Sequence, residues 1–368
     1  MPDSTSSPAT TGAQAPDLTP SEHDALAVVV VTHDSADHLP DLLAALAPQL
    51  RADDELAIVD NASTDSTPSV ARAHSDRALV IETGQNLGFA GGCHAGAAAT
   101  RAPLLLLLNP DSRPHPDCLD RLRRAAATHR DWGAWQAAVL LDGDSHINTS
   151  GGIVHYLGFG WAGDCGLPIA ALPAEDREIA FPSGAAMVVR REVWLELGGL
   201  DREYFMYGED LDLGLRLWLS GHRVGLVPAA RVTHSYEFDK GSAKWFWLER
   251  NRIRTVLSVY PPALLALLAP ALLAGELGLL VVAARGGWLW PKLRAQAAAF
   301  ASLPRTLARR RAVQHGRRID SRALAAHLTS SLDSPYLAAA SGPLLSVPQA
   351  AYWRLVRLAL SLLPARPS

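Results

Sequence analysis

The sequence predicts an α/β fold: a mostly parallel central sheet with flanking helices, followed by a C-terminal apolar and basic helical region that associates with a membrane. Three observations predict it. Short apolar runs alternate with helical patterns up to about residue 130, and such alternation implies right-handed crossovers and parallel strands. Each run ends in polar residues, at the strand ends where ligands bind in sheets of this kind. The stretch Thr255–Gly275 carries no charge over 21 residues and precedes a basic segment.

The elements follow in order. Residues 1–24 are rich in Ser, Thr, Pro and Ala and are expected to form a disordered tail. "ALAVVVV" (25–31) reads as a fully buried strand. "ADHLPDLLAALAPQL" then sets Leu39, Leu42, Leu43 and Leu46 at helical spacing. Strands are expected at "ELAIVD" (55–60), "ALVIE" (78–82) and "LLLLLN" (104–109), with helices near 66–75 and 90–100. "GAWQAAVLL" and "GAAMVVRR" read as further strands around a loop-rich section, 142–182, whose glycines and aromatics suit a substrate pocket better than a regular element. "EDLDLGLRLWLSG" (209–221) reads as a helix stopped by Gly221. "HRVGLVP" returns as a strand and "ARVTHS" follows.

From about 244 the chain reads as helical. Twenty-one uncharged residues are long enough to cross a bilayer, but Pro261, Pro262 and Pro270 interrupt them, so an in-plane or re-entrant arrangement is equally expected. Between Arg285 and Arg322 there are 10 Lys/Arg and one acid, Asp320. A basic block beside an apolar run, with Trp288 and Trp290 between them, suits an anionic headgroup layer. The chain thus divides into a tail (1–24), an α/β domain (25–255) and a helical region (256–368).

Bulk properties exclude several classes. A net charge of -3 over 368 residues argues against a nucleic-acid partner. Three cysteines, Cys93, Cys118 and Cys165, form no CxxC pair and fit a reducing compartment. The N-terminus has no positive n-region and no apolar h-region, so no secretory signal is expected. No GxGxxG follows the first strand and no GxxxxGK[ST] is present; "GFAGG" (88–92) has the wrong spacing for a dinucleotide fingerprint.

The polar strand ends are His33-Asp34, Asp60-Asn61 and Asn109-Pro110-Asp111. Two readings stand for each. Asp111 is a good turn residue after a strand, or it is a ligand for a hard divalent cation shared with phosphate oxygens. Asp60 closes an Asx turn before a helix, or it accepts hydrogen bonds from a nucleoside. Glu209, Asp210 and Asp212 stabilise a helix start through its dipole, or they supply a general base whose proton affinity is raised by its neighbours. His234 is a structural histidine, or it completes a metal site with Asp111.

Taken in order, "VVVVTHDSADHLPDLLAAL", "IVDNASTDST", "NLGFAGGCHAG", "LLLLNPD", "FPSGAAMVVRREVWLELGGLDREYFMYGEDLDLGLRLWLSGHRVGLVPAARVTH" and "RNRIRT" resemble the glycosyltransferase family 2 pattern. More narrowly, they resemble its bacterial rhamnosyltransferase-like branch acting on lipid-linked acceptors. The resemblance covers roughly 26–260. It implies a GT-A fold, a nucleotide-diphosphate-sugar donor, Mg²⁺ or Mn²⁺, and inversion at the anomeric carbon. It places Thr32, His33, Asp60 and Asn61 around the nucleoside, and Asn86 and Gly88 near the diphosphate. Asn109-Pro110-Asp111 stands where the family has DxD; the first Asp is replaced by Asn109, so Asp111 is expected to carry most of the metal contact. Asp210, beside Glu209, matches the catalytic base, and His234 matches a metal-ligand histidine found in part of the family.

The expected partners are dTDP-rhamnose, a polyprenyl-linked or cell-wall glycan acceptor and membrane lipid, at the cytoplasmic face of the cytoplasmic membrane. The apolar C-terminal helices also allow homo-oligomers. UDP-galactofuranose or UDP-GlcNAc are alternative donors. A non-catalytic scaffold of a cell-envelope assembly complex is the competing class. It would be expected to lose Asp111 or Asp210, and both are present.

Overall fold

A computed structural model describes residues 24–74, 76, 78–235, 243–332 and 343–364. The tail expected over 1–24 falls outside these residues except for Asp24.

Strands β1 (Leu26–Thr32), β2 (Glu55–Asp60), β3 (Ala78–Glu82) and β4 (Leu104–Leu108) alternate with helices α1 (Leu39–Leu46), α2 (Thr67–His74) and α3 (Gly88–Ala99). Next come β5 (Ser112–Pro114), α4 (Cys118–Thr128), β6 (Trp132–Leu140), β7 (Ile147–Thr149), β8 (Gly152–His155), β9 (Gly160–Ala162) and β10 (Arg177–Glu178). Then β11 (Ala186–Arg190), α5 (Arg191–Leu197), α6 (Glu209–Leu219) and β12 (Arg223–His234) complete the sheet-forming part. The remainder comprises α7 (Ala243–Val259), α8 (Pro262–Arg285), α9 (Leu289–Ala301), α10 (Leu303–His315), α11 (Ser321–Ala325), β13 (Leu328–Thr329) and α12 (Pro343–Leu362).

Ten of these strands form one sheet in the order β10-β12-β6-β11-β4-β1-β2-β3, with β5 on β12 and β7 on β6. The five leucines of β4 are all buried, because the sheet is covered on both faces. Leu105 and Leu107 pack on the side of α3, α5 and α6, with Cys93, Val193 and Leu213. Leu104, Leu106 and Leu108 face α1 and α4, with Leu42 and Leu119. An unbroken apolar run is the signature of that two-sided burial.

The expected parallel core is present, since β3, β2, β1 and β4 are parallel and β6 is parallel to β12, while β11 runs antiparallel to both β4 and β6. β11 is reached through the long excursion 141–185, not through a helical crossover, so nothing constrains it to be parallel. Two expectations need correction. Section 142–182 holds short strands rather than loop alone. β8 and β9 form a small sheet with β13, a strand supplied from the C-terminal region. "HRVGLVP" and "ARVTHS" are one strand, β12, whose pairing with β6 shifts register between Val227 and Arg231. Pro228, which has no N–H to give the ladder, lies at that shift.

The uncharged run also splits. Pro261 and Pro262 end α7 and start α8, and α8 carries Pro270 within it. The boundary expected at 255/256 falls inside α7, a continuous helix. Among the described residues α8 is the one helix long and apolar enough to cross a membrane. Its single acid, Glu276, turns inward to Arg252 and to Lys292 (3.0 Å). Lys292, fully buried, also reaches Glu249 at 2.5 Å. That network locks α7, α8 and α9 together.

Candidate active site

The carboxyl ends of β1, β2 and β4 form one edge of a crevice. At the end of β1, Thr32 is fully buried and its Oγ1 donates to the Val59 carbonyl at 3.2 Å. The Asn61 N–H donates to the Thr32 carbonyl at 2.8 Å, and His33 Nδ1 lies 3.1 Å from the Asn61 carbonyl. His33 itself is half exposed.

Asp60 is 4% exposed. One carboxylate oxygen accepts the Ser63 N–H at 3.3 Å, as the Asx-turn reading expects. The other, Oδ1, is buried with no hydrogen-bond partner. An unsatisfied buried carboxylate oxygen costs about 1–3 kcal/mol or more. It is a buried acceptor with its hydrogen-bonding capacity unused.

Asn61 has a different task. Its Nδ2 donates to Asn86 Oδ1 and to the Gly88 carbonyl, both at 3.1 Å, and its Oδ1 accepts the Leu87 N–H at 2.8 Å. Asn86 Oδ1 in turn accepts the Gly88 N–H at 2.9 Å. These two amides therefore shape the 83–88 loop and leave little capacity for a ligand. Gly88 sits at φ +70, and a Cβ there would stand 2.3 Å from the Phe205 carbonyl oxygen. Only glycine allows the 83–88 loop to meet the 205–208 loop this closely.

Beyond β4, strand pairing brings distant residues together. β5 pairs with β12, opposing Ser112 to His234. His234 Nε2 consequently lies 3.0 Å from Asp111 Oδ1 and 3.2 Å from Asn109 Nδ2. His234 is 5% exposed. An open cleft beside Asp111 is lined by His38, Asp41, Arg113 and Asp142, residues that no motif or spacing singled out.

The acidic helix start meets this edge through Phe205 at Gly88 and through Gly184 at Asp210. Phe205, Tyr207 and Gly208 all have positive φ (62, 66 and 82) immediately before α6. Strain of this kind persists only where surroundings hold it. Here Asn251 of α7 holds it, donating from Nδ2 to the carbonyls of Tyr204 (3.0 Å), Met206 (2.9 Å) and Tyr207 (2.7 Å). "RNRIRT" contained this residue, but nothing in its spacing marked the role.

Asp210 is partly exposed to the crevice. Its carboxylate accepts the N–H of Leu211 at 2.7 Å and of Gly184 at 3.3 Å. The next residue, Ala185, offers its carbonyl to Asn109 N (3.2 Å) and Ser112 Oγ (3.3 Å). The short segment Gly184-Ala185 thus bridges Asp210 to the strand end that carries Asp111.

The three acids have separate environments. Glu209 is buried, with Oε2 lacking any hydrogen-bond partner. Burial, then the charge of Asp210, pushes its carboxyl well above the usual range. Burial also raises Asp210, against the opposing amides of Leu211 and Gly184. Burial acts the same way on Asp212, but the guanidiniums of Arg309 and Arg216 outweigh it and hold Asp212 below the usual range. Arg309 Nη2 is 2.6 Å and Arg216 Nε 2.8 Å from Asp212 Oδ2, and Tyr204 OH donates to Oδ1 at 2.9 Å. Arg309 comes from α10, far along the chain. Acid identity alone left the three indistinguishable in sequence; burial and partners separate them.

Asp111 and His234 offer one carboxylate and one imidazole, and among the described residues no cluster of three or more metal-ligating side chains exists. Two protein ligands fit a divalent cation whose remaining positions are taken by substrate phosphates and water.

Comparison with known proteins agrees with this geometry. Residues 27–193 match the family model described as glycosyl transferase family 2. The N-acetylglucosaminyl-diphospho-decaprenol L-rhamnosyltransferase of Mycobacterium tuberculosis is 31% identical over 247 residues, covering 59% of this chain and 78% of that one. Rhamnosyltransferase WbbL of Escherichia coli K12 is 40% identical over 67 residues, covering 18% and 25%. The crystal structure of GalNAc-T7 with UDP, GalNAc and Mn²⁺ superposes with a TM-score of 0.55 at 15% identity, covering 65% of this chain and 48% of that one, which establishes a GT-A fold. With four-fifths of a mycobacterial relative spanned at this identity and the fold in agreement, the chain belongs to glycosyltransferase family 2 and is a glycosyltransferase.

Proposed function

We propose that the protein moves L-rhamnose from dTDP-rhamnose to a hydroxyl of a polyprenyl-diphosphate-linked saccharide, with inversion. The observation that carries the reading is the Gly184-Ala185 bridge, which ties the carboxylate of Asp210 to the strand end that carries Asp111 and, through it, His234. The name of the mycobacterial relative supports the sugar and the acceptor class.

Each residue has a task. Asp60 Oδ1 accepts from the nucleoside base. Asp111 and His234 would hold Mg²⁺ or Mn²⁺; when bound, the ion neutralises charge on the departing nucleoside diphosphate. Asp210 takes the acceptor hydroxyl proton as that oxygen bonds to the anomeric carbon. The glycosyl–phosphate bond breaks on the opposite face, and its electron pair leaves with the diphosphate. One displacement inverts the centre and needs no protein nucleophile. Glu209, whose carboxyl burial and the Asp210 charge push up, holds its proton more tightly than a free carboxyl beside Asp210. Asn61, Asn86 and Gly88 hold the donor-side loop in shape.

We place this chemistry at the cytoplasmic membrane face, with the C-terminal helices lying in the lipid plane. Leu273 (66% exposed) and Leu277 (60%) of α8, Phe300 (79%) of α9 and Leu358 (58%) of α12 leave apolar surface uncovered. With Glu276 turned into the protein, α8 presents an uncharged apolar surface outward and is tied to α7 and α9 on its other side.

The test is transfer from a panel of nucleotide sugars to a polyprenyl-diphosphate GlcNAc acceptor, with and without metal. dTDP-rhamnose is expected to give the highest kcat/KM, and chelation to abolish transfer. A higher kcat/KM with UDP-galactofuranose or UDP-GlcNAc overturns the donor assignment.

A further inference from the structure

A row of half-buried aromatic rings, two of them with a guanidinium over the face, leads from the acidic loop to the start of the apolar helices. Phe205, whose backbone abuts Gly88, stacks on Trp247 of α7 with ring centroids 5.0 Å apart. Phe246 meets Trp247 edge-on at 4.9 Å. Arg250 lies 5.2 Å over the Trp247 ring, and Arg294 of α9 lies 5.7 Å over the Phe246 ring. Trp245 then stacks on Trp288, just before α9, at 4.9 Å.

These two cations differ from their neighbours. Arg252, Arg254, Lys292 and Arg309 all sit on carboxylates. Among the described residues, neither Arg250 nor Arg294 has a carboxylate within ion-pairing distance. Arg250 Nη2 donates to the Glu203 carbonyl at 2.5 Å; Arg294 is exposed and lies over the Phe246 ring. Planar guanidiniums lying over aromatic faces, with no carboxylate among the described residues in ion-pairing distance, suit diphosphate oxygens. Aromatic rings left half exposed suit an apolar chain. The row begins within five residues of Asp210 and ends beside Trp290, which is 69% exposed among the outward apolar side chains.

We infer that this row is the subsite for the acceptor's prenyl diphosphate, with Arg294 and Arg250 on the diphosphate and Trp247, Phe246 and Trp245 along the first isoprene units. The inference rests on the lipid-linked acceptor proposed above. It gives that acceptor a direction: sugar at Asp210, phosphates at α9, hydrocarbon toward the apolar helices.

The test uses the full-length enzyme in neutral detergent, free of phospholipid, with two acceptors. One is prenyl-diphosphate GlcNAc; the other is octyl GlcNAc, which has the same sugar and no phosphate. Arg294→Gln is expected to raise KM for the diphosphate acceptor by at least about tenfold, the loss of one charge-assisted contact. Its KM for octyl GlcNAc and for donor is expected to stay unchanged, and Arg294→Lys to recover part of the loss. Trp247→Leu is expected to raise KM for the prenyl acceptor more than for the octyl one. Equal effects on both acceptors, or no effect of Arg294→Gln on either, overturn the subsite and leave the acceptor class standing. The same holds if Arg294→Gln loses only binding to anionic vesicles, since the anion is then a lipid headgroup. If the wild-type enzyme uses octyl GlcNAc but not the prenyl-diphosphate acceptor, the acceptor reading and the subsite fall together.

Discussion

Replacing Arg309 with Met tests whether the C-terminal helices belong to the catalytic unit. Arg309 is 13% exposed and reaches Asp212, fully buried, at 2.6 Å and Asp201 at 2.8 Å. It also donates to Ser258. Breaking a buried ion pair from one side costs about 3–5 kcal/mol. Asp212 keeps Arg216 and Asp201 keeps Arg254, at 2.8 Å each, so the low end, about 3 kcal/mol, is expected. At roughly 2 °C per kcal/mol for a chain of this size, Tm falls by about 6 °C. The pH dependence has a definite sign. Asp212 is held below its ordinary value, so its contribution is present above the unfolded carboxylate range near 4 and is lost only as pH falls through the lower folded value. The deficit of Arg309→Met is therefore flat from pH 5 to 8. A thermal-melt cycle with Asp212→Asn is expected to show coupling above about 1 kcal/mol. A deficit below about 1 kcal/mol, or additive single effects, refutes the reasoning.

Three other outcomes follow from the same geometry. Glu209→Gln keeps kcat within a few-fold and gains stability relative to wild type as pH rises, because the raised Glu209 makes the wild-type fold lose stability above its unfolded range; parallel Tm curves from pH 5 to 9 contradict this. Gly88→Ala drives a Cβ into the Phe205 carbonyl at a backbone angle that disfavours it, so catalytic efficiency falls by on the order of tenfold or more; unchanged kcat/KM removes this contact from the site's account. Leu277→Glu, on the outward face of α8, weakens flotation with anionic vesicles while leaving detergent activity intact; undiminished flotation contradicts in-plane docking by α8.

The sheet edge was legible because local signals carried it. The apolar runs of β1, β2 and β4 end where polar residues begin, and the topology brings Asp60 and Asp111 to one side. Long-range pairing was not legible. His234 meets Asp111 only because β5 pairs with β12, and no local pattern in "NPDSRP" announces a three-residue strand. β11 gave a strand signal but no direction, since direction depends on how the chain arrives. The division of 255–275 by its prolines was legible, but not that its first five residues complete α7. The tie between Arg309 and Asp212 joins two helices about a quarter of the chain apart. In sequence, Arg309 is one of ten basic residues and looks like a lipid-facing charge; packing turns it inward.

The most direct measurement is multiple-turnover glycosyl transfer by Asp210→Asn, with donor binding followed in parallel by thermal shift. The side chain stays nearly isosteric and loses its capacity to take a proton, which is typically worth about 10²–10⁴-fold in rate. The account predicts a loss of that order in kcat, with the donor-induced Tm shift retained in the presence of metal. Turnover within a few-fold of wild type would contradict it.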